Sequence, residues 1–197
     1  EQTIAQIVQR EKHEIKHSSM KSCLVTDNGK KEAWKLLSQY NPSIQTKCIK
    51  YPERCINGNT PTLIALKKMY GEELPIDWLK LEINDFLNFV GIKEDNKLVS
   101  EAINELSELI LARFYYLKLS ELLLFFCKLK YGDYGEVYGY VDPMRILKAL
   151  KSFVEYRNTI ISRLEQEEYF KRLEEESKNA VSYSEYLKSK SNKTVVL

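Results

Sequence analysis

The sequence predicts a mainly α protein: a compact multi-helix domain with one short glycine–tyrosine loop or hairpin and a long C-terminal helix. Three observations lead there. Apolar residues between positions 60 and 157 recur at spacings of three and four. Short stretches marked by proline or glycine separate them. The helical pattern that opens at Asp142-Pro143 then runs on through RLEQEEYFKRLEEESKNA without a stop signal.

Taken in order, residues 1–17 read as a helix with a thin stripe of Ile4, Ile7, Val8, Glu11 and Ile15. Residues 18–30, with Ser18, Ser19, Asp27, Asn28 and Gly29, read as a loop. A short helix follows over 31–40 with Ala33, Trp34 and Leu37, and Asn41-Pro42 ends it. Residues 43–59 read as irregular, with a candidate strand at 44–51. Thr60-Pro61 opens a helix that stops at Gly71. Pro75 opens the next, with Ile76, Leu79, Ile83, Phe86, Leu87 and Val90 inward and Gly91 at its end. Asp95-Asn96 starts a third through Val99, Ala102, Ile103, Leu106, Leu109, Ile110 and Phe114, with a break at 115–118.

The organising stretch is LSELLLFFCKLKYGDYGEVYGYVDPMRILKALKSFVEY, beginning at Leu119. Its first eleven residues are apolar on most sides of a helix. A membrane span needs roughly 18 to 20 such residues, so this is a buried core helix. Residues 131–141 then alternate tyrosine with glycine. Glycine permits positive φ and tyrosine favours extended backbone, as a tight loop or hairpin requires. Asp142 and Pro143 supply an N-cap and a first helical position. Ile146, Leu147, Leu150, Phe153, Val154, Ile160, Ile161 and Leu164 continue one apolar face. Beyond Leu164 that face holds Tyr169, Phe170 and Leu173, fitting a projecting or partner-binding helix. Residues 182–197 are serine- and lysine-rich and read as disordered. The expected organisation is a basic, partly irregular N-terminal region at 1–59, a helical core at 60–157, and a C-terminal helix and tail at 158–197.

The segment ELLLFFCKLKYGDYGEVYGYVDPMRILKALKSFVEYRN resembles a family of small proteins carried by phages and mobile elements of Bacteroidetes bacteria. That family shows an apolar El-lFF segment, then K-x-G-x-Y-G-x-F/Y-Y-G, then VDP and a helix ending in arginine. Glu121, Phe125, Phe126, Lys130, Gly132, Tyr134, Gly135, Tyr138, Gly139, Val141, Asp142, Pro143 and Arg157 match it. Tyr131 stands where a small residue is usual, and Val137 where an aromatic is. The resemblance covers residues 60–158 and implies a setting rather than an activity. By association it suggests an accessory of DNA replication or host interaction, such as an adaptor or a helicase-loader-like factor.

Composition sets further bounds. The 197 residues suffice for one domain with an extension, and 44% apolar and 29% charged residues are ordinary soluble values. Net charge is +2, too small to imply nucleic acid or membrane by itself. Residues 1–58 carry 10 basic against 6 acidic residues, 59–157 carry 13 against 15, and 158–197 carry 7 against 7. Cys23, Cys48, Cys55 and Cys127 form no zinc-type pairs. Reduced thiols in the cytoplasm are expected, with no membrane span and no signal peptide.

Candidate chemistry is sparse. His13-Glu14-Ile15-Lys16-His17 has the H-E-x-x-H form that puts two imidazoles on one helix face. Lys16 inside it, and no third histidine in the chain, favour a solvated face over a metal site. No phosphate-binding G-x-x-x-x-G-K-[ST] occurs, and Gly132, Gly135 and Gly139 are mis-spaced for a dinucleotide loop. No nucleophile–base–acid set can be assembled. The expectation is therefore no enzyme, no cofactor and no metal. What remains is a basic–aromatic surface of Lys128, Lys130, Tyr131, Tyr134, Tyr138, Tyr140, Arg145 and Lys148, with Lys151 nearby and Arg157 marked by the resemblance. Such residues pack a loop onto a core, bind protein, or track phosphates and stack on bases. Asp133, Glu136 and Asp142 interrupt the cations. A non-enzymatic interaction protein with a protein partner is the leading expectation. Direct DNA or RNA binding is the alternative, an enzyme of unknown class comes third, and the C-terminal helix is a candidate contact for a second copy.

Overall fold

A computed structural model describes residues 27–91, 98, 100–136 and 141–179. In chain order its elements are α1 (Asp27–Gln39), a 3-10 turn (Pro42–Ile44), α2 (Gln45–Lys50), α3 (Pro52–Asn57), α4 (Leu63–Tyr70), α5 (Glu73–Phe89), α6 (Ser100–Arg113), α7 (Leu119–Tyr131) and α8 (Pro143–Asn179). No strand occurs among the described residues; an isolated antiparallel bridge joins Thr62 to Lys118. The mainly α class is therefore what the chain adopts. The chain divides into two units, Glu1–Tyr156 and Arg157–Leu197.

The first unit is organised around α7. Every residue from Leu119 to Cys127 is buried, and so is Leu129. A helix that apolar has no face left for water, so neighbours must close on it from several directions. α2, α3 and α5 do so. Phe153 of α8 adds a ring contact to Phe125 at 5.7 Å. α4 packs on α5, and α5 on α6. The Trp78 indole donates to the Tyr40 carbonyl at 2.6 Å and ties the end of α1 to α5.

The break before α7 is a joint. Residues 115–118 leave the helical path, and Leu63 and Ile64 donate backbone hydrogen bonds to Leu117 and Tyr115 at 3.0 and 2.9 Å. Leu119 in turn donates to Pro61 at 2.9 Å. Thr62 caps α4 by accepting from Ala65 N–H at 3.2 Å, so that helix starts just beyond the expected Thr60-Pro61 signal. Glu121 reaches back to accept from Lys118 N–H at 2.8 Å, closing the first turn of α7.

The strand expected at 44–51 is corrected to helix. Asn41 accepts from Ser43 N–H at 3.0 Å and Pro42 sets the first helical φ, so the chain turns where a strand would begin. Gln45 and Cys48 are buried while Thr46 and Lys47 are exposed. That is a period of three, not the alternation of a strand. Pro52 then restarts the chain as α3.

The described part of the glycine–tyrosine loop is a turn; residues 137–140, where a hairpin would close, lie outside the described residues. So do the His13–His17 motif, the N-terminal helix reading, Cys23, the Asp95-Asn96 start and the 182–197 tail. Cys48, Cys55 and Cys127 are free and buried. Among the described residues no helix is long and apolar enough to cross a membrane.

The second unit, described as far as Asn179, is the continuation of α8. Residues 165–178 are all exposed. Arg163–Glu167 at 4.0 Å and Glu174–Lys178 at 2.7 Å brace it at i,i+4 spacing.

Candidate functional site

The predicted surface begins where α7 ends. Gly132 adopts φ 89°, ψ 10°, a left-handed conformation that a side chain would strain. Its N–H donates to Leu129 at 3.2 Å, and Asp133 N–H reaches Lys128 at 3.1 Å. This paired bonding closes the last carbonyls of the helix and reverses the chain. On the far side of the loop Asp142 Oδ1 accepts from Met144 N–H at 2.9 Å, the N-cap that Asp142-Pro143 announced.

The structure then divides the predicted residues by what occupies them. Lys128 pairs with Asp133 at 2.5 Å and lies 4.6 Å from the centre of the Tyr156 ring. Lys130 is ion-paired to Asp85 of α5 and sits 5.4 Å from the Phe89 ring. Arg145 donates to the Glu136 carbonyl. These three cations are engaged inside the protein. Tyr134 is drawn inward: its ring is 5.9 Å from Phe125 and its hydroxyl is buried without a hydrogen-bond partner. Burial pushes that phenol well above its usual range. Tyr131 is 79% exposed. Tyr138 and Tyr140 lie outside the described residues. Arg157 belongs to the second unit, where it donates to Asn158 Oδ1 at 3.3 Å. Lys148 is exposed and takes no partner among the described residues.

Two features are not evident from the sequence. One is a buried polar knot between α2, α5 and α7. Gln45 Nε2 donates to Glu82 Oε2 at 2.6 Å and approaches Asp85 at 3.4 Å, and Asp85 holds Lys130. Glu82 is fully buried, and its Oε1 has no hydrogen-bond partner. Burial raises its carboxyl to about 8, with Asp85 adding to the rise and Gln45 and Lys130 opposing it. It is therefore largely protonated at neutral pH. Cys48, on the same helix as Gln45, is a strongly raised thiol, held up first by its hydrogen-bonded neighbour Cys55 and then by burial. A signal for Glu82 was present: it stands three residues after Leu79 and four before Phe86, on the apolar face.

The other is a groove of about 520 Å³ between α6 and the first turns of α8. Leu109, Phe114, Met144 and Leu147 form its apolar floor, with Met144 53% and Leu109 47% exposed. Arg113, Lys148 and Lys151 stand around it. None of the three makes an ion pair or hydrogen bond among the described residues, and no acidic side chain lines the groove. The arrangement can bind an anionic, partly apolar partner. Lys148 and Lys151 could be anticipated from their spacing on one helix; Arg113 could not, because it arrives from α6.

A groove on the other side of α6, between Ile64, Ile76, Leu111 and Tyr115, has similar size, about 500 Å³. There Lys67 is already paired with Glu72 at 2.5 Å and Glu108 adds a second carboxylate to the lining. Among the described residues no group of three His, Cys, Asp or Glu is placed to hold a metal.

No curated protein and no solved structure matches the chain. Residues 97–195 match the model of a family of unknown function (DUF6633). That span contains both walls of the α6–α8 groove but neither Gln45 nor Glu82. By that match over half its length, the chain belongs to the family of unknown function DUF6633.

Proposed function

We propose that this chain is a non-enzymatic interaction protein that takes a protein partner in the α6–α8 groove. One observation carries it: an exposed apolar floor flanked by three cations that no side chain of the described protein engages. Burying Met144 and Leu109 gives affinity, and Arg113, Lys148 and Lys151 select an acidic partner. The shifted titratable groups, Glu82, Cys127 and Tyr134 raised by burial and Cys48 raised first by its hydrogen-bonded neighbour Cys55, lie outside this groove, which favours binding over bond-making. Direct nucleic-acid binding remains the alternative, resting on the same three cations and on exposed Tyr131. Against it stand Lys128, Lys130 and Arg145, whose charge is already met within the chain. The setting, an accessory of replication or host interaction on a mobile element, follows from the sequence resemblance.

The test is photo-crosslinking in the producing cell with Met144→p-benzoylphenylalanine, using exposed Leu81 of α5 as the control position. A protein adduct at Met144, absent at Leu81 and lost with Lys148→Glu/Lys151→Glu, is expected. Adducts to nucleic acid, or no adduct at Met144, would reject the protein-binding assignment.

A further inference from the structure

We infer that the occupant of the α6–α8 groove is the 165–176 segment of a second copy of this chain, making a reciprocal dimer. This rests on the groove being a protein-binding surface and adds who binds it. The segment EQEEYFKRLEEE carries six acidic and two basic residues, net −4. It shows water Tyr169, Phe170 and Leu173, at 54, 66 and 42% exposure. Along an α-helix Glu165, Tyr169, Leu173 and Glu176 fall on one face, with a carboxylate beyond each end of the apolar pair. From Glu165 to Glu176 that face runs about 16 Å. Glu165 and Glu176 make no ion pair among the described residues, whereas Glu167 and Glu174 are held by Arg163 and Lys178.

Groove and segment are thus complementary in two independent respects. An apolar floor without a cover meets an apolar stripe without a cover. Three unengaged cations meet unengaged carboxylates. Because each copy carries both halves, two copies close on each other with the same contact made twice, as a two-fold dimer requires. An aromatic ring and a leucine on one short helical face, seated in an apolar cleft ringed by charge, follow the helix-in-groove mode of peptide recognition.

The complementarity permits a test with two charge-reversed chains, each full length. Lys148→Glu/Lys151→Glu makes the groove acidic and leaves the segment acidic. Glu165→Lys/Glu176→Lys makes the contact face of the segment basic, taking the segment from net −4 to zero, and leaves the groove basic. Sedimentation of the unchanged chain should show a dimer that weakens as salt rises. Each variant alone should dissociate at least about tenfold more readily, with its helical circular dichroism intact. Mixed one to one, the two variants should re-form a dimer, since both contacts of the mixed pair join opposite charges. A monomeric unchanged chain, a dimer indifferent to either reversal, or a mixture that stays monomeric would overturn the inference. The crosslink at Met144 separates this from the broader assignment. An adduct with a different protein and none with the chain itself removes the dimer while keeping the groove as a binding site.

Discussion

The two ends of α7 are held in different ways. At the N-terminal end Lys118 Nζ donates to the carbonyls of Ile56 and Gly58, each at 2.8 Å. Ser120 Oγ donates to the Cys55 carbonyl at 2.6 Å and meets Thr60 Oγ1 at 2.7 Å. Most of these acceptors are backbone, fixed by the path of the chain. At the C-terminal end the cations Lys128 and Lys130 are met by the side chains of Asp133 and Asp85. Packing there falls to the rings of Phe125, Phe126, Tyr134 and Phe153. Backbone acceptors neither titrate nor rotate away, whereas carboxylates do both. One end is a fixed joint, and the other is an adjustable one.

The largest effect should come from breaking the rings. Phe125 is fully buried and touches three other aromatic rings. Phe125→Ala should lower unfolding free energy by about 3–5 kcal/mol, lost transfer and cavity together. Tyr131→Ala, at an exposed position of the same helix end, should change it by less than about 0.5 kcal/mol. Urea unfolding of the pair checks this, and equal losses would contradict the ring-packed account of this end.

Next comes the fixed joint. Lys118→Met keeps the stem and removes the ammonium, leaving two carbonyls without their charged donor. The expected loss is about 2–3 kcal/mol. Lys128→Met, at the other end, removes a pair whose partner Asp133 can turn to water, and should cost about 1 kcal/mol or less. Raising salt should narrow the gap between Lys128→Met and the unchanged chain and leave the Lys118→Met loss in place.

The buried carboxyl of Glu82 makes the stability of the fold depend on pH. Its folded value of about 8 stands above an ordinary value of 4.5. Between those limits the folded state keeps a proton that the unfolded state has released, so stability falls as pH rises. The slope is at most about 1.4 kcal/mol per pH unit, and it flattens above pH 8. Glu82→Gln can still accept from Gln45 and carries no charge to neutralise. It should be more stable than the unchanged chain by about 2 kcal/mol at pH 7 and indistinguishable near pH 4. Asp85, Lys130 and Cys48 face the same knot. An unchanged pH slope in Glu82→Gln would therefore move the titration to one of them.

Much of this contrast was legible in the sequence, and the gaps have identifiable causes. The buried α7, the glycine–tyrosine stretch that follows it and the Asp142-Pro143 start are local signals, written within a few residues of where they act. The helical course of 44–57 was not legible, since α2 and α3 have six residues each and too few turns to display a period. The fate of the cations was hidden for another reason. Spacing placed Lys128, Lys130 and Lys148 near one another, but the partner that neutralises Lys130 lies 45 residues upstream. A cation is available for binding only when nothing across the fold has taken it, and that depends on long-range packing.

The smallest stability effect belongs to the groove, and there it is most informative. Lys148 and Lys151 are exposed and hold no partner among the described residues. At a chain concentration low enough to keep the protein monomeric, reversing both should shift unfolding free energy by less than about 0.5 kcal/mol, against the about 2–3 kcal/mol expected at Lys118. A lysine that structure depends on reveals itself by the stability its loss removes. A lysine kept for recognition should leave thermal unfolding of the isolated chain nearly unmoved while abolishing the Met144 crosslink. If Lys148→Glu/Lys151→Glu unfolded the chain as readily as Lys118→Met, these cations would be structural, and the groove would lose its claim to a partner.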